Sequence, residues 1–271
     1  MRCCEWQSLF PYLLMTGALL AAVILAPVLA PCDPYAQDLS AALSPPSATY
    51  LLGTDSYGRD VFSRVLVGAQ TTLGATLVLV AAAAVFGCVA GAAAGFCSGW
   101  VRTAIMRAAD VFLAFPALVF AVALAGVLGG GLFHAALALA AMSWPKYARL
   151  ACALTRSLCA MPFLAAARMA GAGRGSVLWY HVLPNIGGPL LVTATLDIGT
   201  ASMELAGLSF LGLGATPPTA EWGAMMANGR SLLQTAPWVI LAPGAALFLS
   251  VAVFNLLGDA MRDALDTRCD Q

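Results

Sequence analysis

The chain has 271 residues, of which 61% are hydrophobic and only 10% charged, and its formal net charge is zero. A soluble domain carries roughly a quarter charged residues, so this composition describes a membrane chain and excludes a basic nucleic-acid-binding surface. Lys146 is the sole lysine and follows Pro145, whereas a phosphate-binding loop needs Gly-Lys-Ser/Thr; the chain holds no such ATP site. The eight cysteines contain no Cys-X-X-Cys pair, and they read as small apolar filler.

A spanning helix needs about 20 apolar residues. The first candidate runs from Leu9 to about Ala30, a retained span, because Pro31 before Cys32 argues against processing at that point. No charge interrupts Val65 to Val101, which accommodates a helical approach and a span at 72–96. None interrupts Val111 to Pro145 either, and Gly129-Gly130-Gly131 divides that stretch into helices at 112–128 and 132–150. Further spans are expected at 186–205 and 237–257. The expected fold class is therefore all-α, a polytopic membrane protein with six transmembrane helices. The expected organisation is an N-terminal helix at 1–30, an outer segment at 31–70 and a five-helix core at 71–271.

Cytoplasmic loops carry an excess of Lys and Arg. With both termini inside, ten of the thirteen basic residues fall inside, and only Arg59, Arg64 and Arg230 fall outside. The segments outside are Pro31 to about Gly68 and about Ser209 to Ala236. In the first, Asp55, Arg59, Asp60 and Arg64 recur at a spacing that allows pairing along a helical turn. They read either as a solvated pre-helix or as a gate or docking element. In the second, glycine and proline mark a shaped loop around Glu221 and Trp222.

The largest inside segment, 151–185, reads as two short helices. Pro162 suits a first helical position, Gly171, Gly173 and Gly175 break the helix, Val177 to Leu183 resumes it and Pro184 ends it. Such an elbow suits docking into a partner's groove or lying on lipid headgroups, and physics alone does not separate the two. In the fifth span Asp197 and Glu204 lie seven residues apart on nearly one helical face, with Thr193 and Thr200 beside them. Acidic residues within a span usually face a bundle interior or a water-filled path, so this stripe marks either a pathway or an interhelix bond. His134 and His181 lie on different elements. No nucleophile–base pair supports an enzyme.

The segment Phe163-Leu-Ala-Ala-Ala-Arg-Met-Ala-Gly-Ala-Gly173, followed by His181-Val-Leu-Pro-Asn185, resembles the coupling loop of bacterial ABC importer permeases. That family reads Glu-Ala-Ala, three residues, Gly, then Leu-Pro. Ala166, Ala167, Gly171, Leu183 and Pro184 match, and Ala165 stands where the family has Glu. With the acidic anchor replaced, Arg168, the Gly171 turn and Met169 are expected to carry more of the grip. Leu52-Gly-Thr-Asp-Ser-Tyr-Gly-Arg-Asp-Val-Phe-Ser-Arg64 resembles the segment before the second span in permeases of the dipeptide, oligopeptide and nickel group. Leu208-Ser-Phe-Leu-Gly-Leu-Gly-Ala-Thr-Pro-Pro-Thr-Ala-Glu-Trp-Gly223 resembles that group's outer loop, and Gly258-Asp-Ala-Met-Arg-Asp263 extends the likeness toward the end.

The resemblance implies a type I importer permease fold in a bacterial inner membrane, working without catalysis of its own. It implies a second permease chain, two ATPase subunits or domains carrying ATP and Mg, and an external binding protein. Thr195-Leu-Asp-Ile-Gly199, Ala206-Gly-Leu-Ser-Phe210 and Ala165 look more like the nickel permeases than the peptide ones. Nickel, free or chelated, is thus the expected cargo, with Asp197 and Glu204 as transient oxygen ligands; di- or oligopeptides are the alternative. A proton-coupled secondary transporter working through Asp197 and Glu204 is the rival of another class. Asp55, Arg59, Asp60, Glu221 and Trp222 are the outer gate candidates.

Overall fold

The computed structural model describes residues 2–97 and 99–266. It is built of helices, with no strand among those residues beyond a single bridge between Thr54 and Asp60. Helix α1 covers Arg2–Leu29, α2 Val61–Phe96, α3 Trp100–Leu113, α4 Ala117–Val127 and α5 Leu132–Cys159. Two short helices, α6 (Pro162–Met169) and α7 (Arg174–Val177), precede α8 (Leu183–Phe210), and α9 (Trp222–Gly229) and α10 (Trp238–Asp266) follow.

Helix α2 is the axis of the molecule. From its start to its end it contributes Val61, Leu73, Leu79 and then Ala83 with Ala92 to four successive apolar clusters. Facing it are Val239, then Trp222 with Phe254, then Leu139 with Leu205, then Tyr147 with Ala151 and Ile186. Thus α5, α8, α9 and α10 all close on one rod, while Phe10, Ile24, Val28, Val78, Val85 and Val89 turn outward, as lipid-facing side chains do.

The closest approach is between α2 and α5, where glycines let two backbones touch. A Cβ on Gly87 would lie 2.5 Å from the Trp144 carbonyl oxygen, and one on Gly91 only 2.2 Å from that of Ala148. One on Gly95 would lie 2.7 Å from the Thr155 Cβ. Small residues at i, i+4 and i+8 form the seam expected where membrane helices gain stability from contact rather than from expelling water.

Among the described residues four helices are long and apolar enough to cross a membrane: Leu9–Leu29, Val61–Phe96, Gly175–Phe210 and Trp238–Leu265. The bent pair α3 and α4 makes a fifth candidate. Helix α5 has the length, at 28 residues, but carries Lys146 and Arg149 in its second half.

Three sequence expectations change. The apolar stretch after Val111 is not one straight helix at 112–128, because Pro116, lacking an N–H, starts a new helix and α4 leaves α3 at 90°. The helical approach and the second span are one unbroken helix from Val61. Pro184 does not end a helix either: residues 175–210 are continuous, and 178–182 form a π-helical turn in which the Leu183 N–H reaches the Leu178 carbonyl. That wider turn makes room for a ring that would otherwise press on the carbonyl four residues back.

Candidate translocation path and coupling elbow

The elbow is built from a cap and three anchors. Gly171 takes φ +89°, a conformation that costs other residues dearly, and no atom crowds it. Around it the Ala170 N–H donates to the Ala166 carbonyl and the Ala172 N–H to that of Ala167, a Schellman-type closure of α6. Leu164, Val177 and Val182 are fully buried against Ala92, Tyr147 and Ala151, which fixes the elbow to the Phe96 end of α2. The Phe163 ring meets His181 edge-on at 6.5 Å, and Asn185 Nδ2 donates to the His181 carbonyl at 2.6 Å.

What remains faces outward. Ala165 and Ala166 are exposed, Ala167 and Leu183 half-buried, and Pro184 exposed. Met169, Trp179 and Tyr180 are 85%, 69% and 76% exposed, a soft apolar patch with two aromatic rings. The side chain of Arg168 lies outside the described residues.

Along α8, Thr193, Asp197, Thr200 and Glu204 follow one another on one face. The Thr193 hydroxyl donates to the Pro189 carbonyl at 2.9 Å, and Thr200 is exposed. Asp197 is already engaged: Lys146 Nζ of α5 lies 2.7 Å from its Oδ2, and the Tyr147 hydroxyl donates to that same oxygen. The Asp197 side chain is 17% exposed and that of Lys146 40%. Glu204 is half-buried, and its carboxylate has no hydrogen-bond partner among the described residues.

Sequence reasoning missed Lys146 and Tyr147 as members of this stripe. A usable signal was present, since a sole lysine in an otherwise charge-poor helix needs a counter-ion if it sits within a membrane. Among the described residues no three His, Cys, Asp or Glu side chains converge as a metal site would require. His134 Nδ1 lies 2.6 Å from the Gly130 carbonyl, a local contact at the start of α5.

At the Val61 end, the expected charge ladder has a different form. Asp55 lies ahead of α2 and is held by Arg59 Nε at 2.7 Å, with Arg64 Nε at 3.7 Å. Its Oδ1 accepts the backbone N–H groups of Tyr57 and Arg59. Arg64 also donates to the Pro34 carbonyl at 2.9 Å and reaches that of Pro218, tying the segment before α2 to the segment before α9. Asp60 does not join the pairs; it caps α2, accepting the Ser63 N–H at 2.9 Å and its hydroxyl at 2.6 Å. In the segment before α2, hydrogen bonds from Ser40 hold the Asp38 carboxyl below the usual carboxylate range.

Glu221 is fully buried and caps α9 through the N–H groups of Gly223 and Ala224. The Thr72 hydroxyl of α2 donates to Glu221 Oε1 at 3.2 Å and accepts the Trp222 N–H at 3.1 Å. Trp222 Nε1 donates to the Val65 carbonyl at 2.9 Å. The outer gate candidates thus form two clamps on the first turns of α2.

A bundle of apolar helices around one axial helix, with a protruding elbow at one end and a charged stripe inside, defines a transmembrane transport subunit. The chain belongs to the family described as binding-protein-dependent transport system inner membrane component, whose model matches residues 83–271. Among its relatives is the probable D,D-dipeptide transport system permease protein of Escherichia coli, 46% identical over 250 residues, 92% of this chain and 84% of the relative. The nickel transport system permease protein of Escherichia coli is 44% identical over 236 residues, covering 87% and 85% of the two chains. The di/tripeptide transport system permease protein of Pseudomonas aeruginosa is 40% identical over 275 residues, covering 97% and 91%. The chain is therefore a multi-pass inner-membrane permease subunit of an ABC importer, and hydrolysis of ATP belongs to separate subunits of such systems.

Proposed function

We propose that this chain forms half of the translocation path and takes its motion from an ATPase through the elbow at 162–184. The observation that carries this reading is the continuous helix 175–210. It joins the exposed patch at Met169, Trp179 and Tyr180 to the polar stripe at Asp197 and Glu204, so a displacement of the elbow is a displacement of the stripe. A patch fixed from behind by Leu164, Val177 and Val182 is rigid enough to be pushed. Both termini and the elbow then lie in the cytoplasm. ATP and Mg bind to two ATPase subunits or domains, a second permease chain completes the path, and an external binding protein delivers cargo to the Asp55–Glu221 end.

Two cargo readings are supported by different observations. The pairing of Lys146 with Asp197 makes the stripe a surface of mixed charge, which suits a short peptide with two charged ends better than a bare metal ion. The nickel reading rests on the sequence blocks in α8 and on the nickel permease relative. We take the peptide reading as the principal one, with nickel second.

The test uses Gly171. Replacing it by Leu forces a branched side chain into φ +89°, at about 1–3 kcal/mol, and disturbs the cap without touching the core. The variant chain is expected to insert and to co-purify with less ATPase subunit, and transport-coupled ATP hydrolysis should fall at least tenfold. Normal transport by this variant would remove the coupling role.

A further inference from the structure

The Lys146–Asp197 pair sits midway along α8, a helix long and apolar enough to cross a membrane, and yet is not sealed. An exposed ion pair in hydrocarbon is costly, so the 40% exposed Lys146 side chain faces a water-filled path or a polar partner surface. An ammonium has three donors, and Asp197 engages Lys146 through one oxygen, which leaves donors for a guest. The Tyr147 hydroxyl on the same Oδ2, with the lysine 5.5 Å from the Tyr147 ring centre, holds the head of Lys146 in place. Two turns along the same face of α8, the Glu204 carboxylate is half-buried and makes no hydrogen bond among the described residues, and only the field of Lys146 from the far end of the stripe attracts it. The three charges sum to minus one, with a neutral ion pair at one end of the stripe and a carboxylate at the other.

The spacing matches a definite class of ligand. Seven helical residues separate Asp197 from Glu204 by about 10 Å along the axis. Two or three extended residues span roughly 7–10 Å. We propose that Lys146 and Glu204 form a two-ended subsite for a short zwitterionic peptide. Lys146 receives the C-terminal carboxylate, Glu204 the N-terminal ammonium, and Asp197 and Tyr147 act as positioning residues for the lysine. The inference rests on the peptide reading above and adds to it the residues that recognise each end. Thr200, exposed between the two, offers a hydroxyl to the peptide backbone.

The test is ATP-driven uptake by the complete importer in proteoliposomes, with cargo-loaded binding protein in excess. Three cargoes are compared: a free dipeptide, its C-terminal amide and its N-acetyl form. The wild-type importer should favour the free peptide over each blocked form by about tenfold, the worth of one charge-assisted hydrogen bond. Lys146→Gln with Asp197→Asn should lose the discrimination against the amide alone, and Glu204→Gln the discrimination against the acetylated form alone. The charge swap, Lys146→Asp with Asp197→Lys, keeps an interhelix pair but moves the lysine to α8. If the pair is merely structural, the swap restores wild-type selectivity; on our proposal it restores assembly and leaves the amide discrimination lost. The idea is overturned if wild-type importer carries all three cargoes equally well, a measurement that needs no mutant, or if the double variant keeps its preference for the free carboxylate. Transport of nickel with no peptide uptake would instead remove the peptide reading and the subsite with it, whereas uptake of peptides without end discrimination removes the subsite alone.

Discussion

Replacing Glu221 with Ala separates a gate from a clamp. In the structure its carboxylate is fully buried and accepts the Gly223 N–H at 2.9 Å, the Ala224 N–H at 2.8 Å and the Thr72 hydroxyl at 3.2 Å. Removing the side chain costs the α9 cap about 1 kcal/mol. It also leaves two buried amide donors and one hydroxyl without their acceptor, each worth about 1–3 kcal/mol before relaxation. Because the three act on one carboxylate they do not add in full, and a loss of about 3 kcal/mol is expected. The assay is thermal unfolding of the purified permease pair in detergent, followed by Trp fluorescence, since Trp222 packs directly on this junction. The apparent Tm of the Glu221→Ala variant should drop by several degrees, and Glu221→Gln, which keeps one acceptor oxygen, should fall between the two. If Glu221→Ala unfolds with wild-type stability but no longer transports, the carboxylate serves a gate and the clamp reasoning is wrong.

Three other outcomes follow from the same geometry. Gly91→Val drives a branched side chain into the Ala148 carbonyl and should cost about 1–3 kcal/mol or more through forced separation of α2 and α5, visible as lost cysteine cross-linking between the two helices. Asp55→Ala strands the buried Arg59 and Arg64 guanidinium groups, a loss of about 3–5 kcal/mol that should expose the segment at 31–60 to protease added from the outer side. Tyr147→Phe removes one donor from Asp197, so it should weaken packing of α5 on α8 by about 1–2 kcal/mol and, by loosening the Lys146–Asp197 pair, lower uptake a few-fold.

The spans with a continuous apolar run were legible because a helix of that composition has nowhere else to satisfy its backbone. The elbow was legible in part: Pro162 starts α6 and Gly171 closes it, each for a local conformational reason, whereas Gly175 does not break a helix but lies inside α7. The failures share one cause. A rule for a single position stops the helix at Pro184, but packing of Val182 and Ile186 into the core holds the helix together and a π turn absorbs the ring. Pro116 was hidden in the opposite way, since an apolar, charge-free stretch says nothing about direction and only the 90° bend reveals the break. The charged stripe was half legible. Asp197 and Glu204 announce themselves by sitting in a span, but Tyr147 lies 50 residues from Asp197, and no local pattern carries such a pairing. At the other end Asp60 reads as one of four pairing charges in a pre-helix or gate and Glu221 as part of a shaped loop; burial against α2 turns both into helix caps.

The unbroken helix from 175 to 210 is about 54 Å of nearly inextensible rod. Along such a rod a movement imposed at one end arrives at the other without loss, except where the backbone is compliant. Compliance in this rod is concentrated in the widened turn at 178–182, which itself carries Trp179 and Tyr180 of the patch that is pushed. The soft joint therefore lies at the source of the motion and the stiff length beyond it. That order lets the elbow adjust its fit to a partner with small rotations while everything from Leu183 to the Asp197–Glu204 stripe moves as one piece, so variation in docking angle need not blur the geometry presented to cargo.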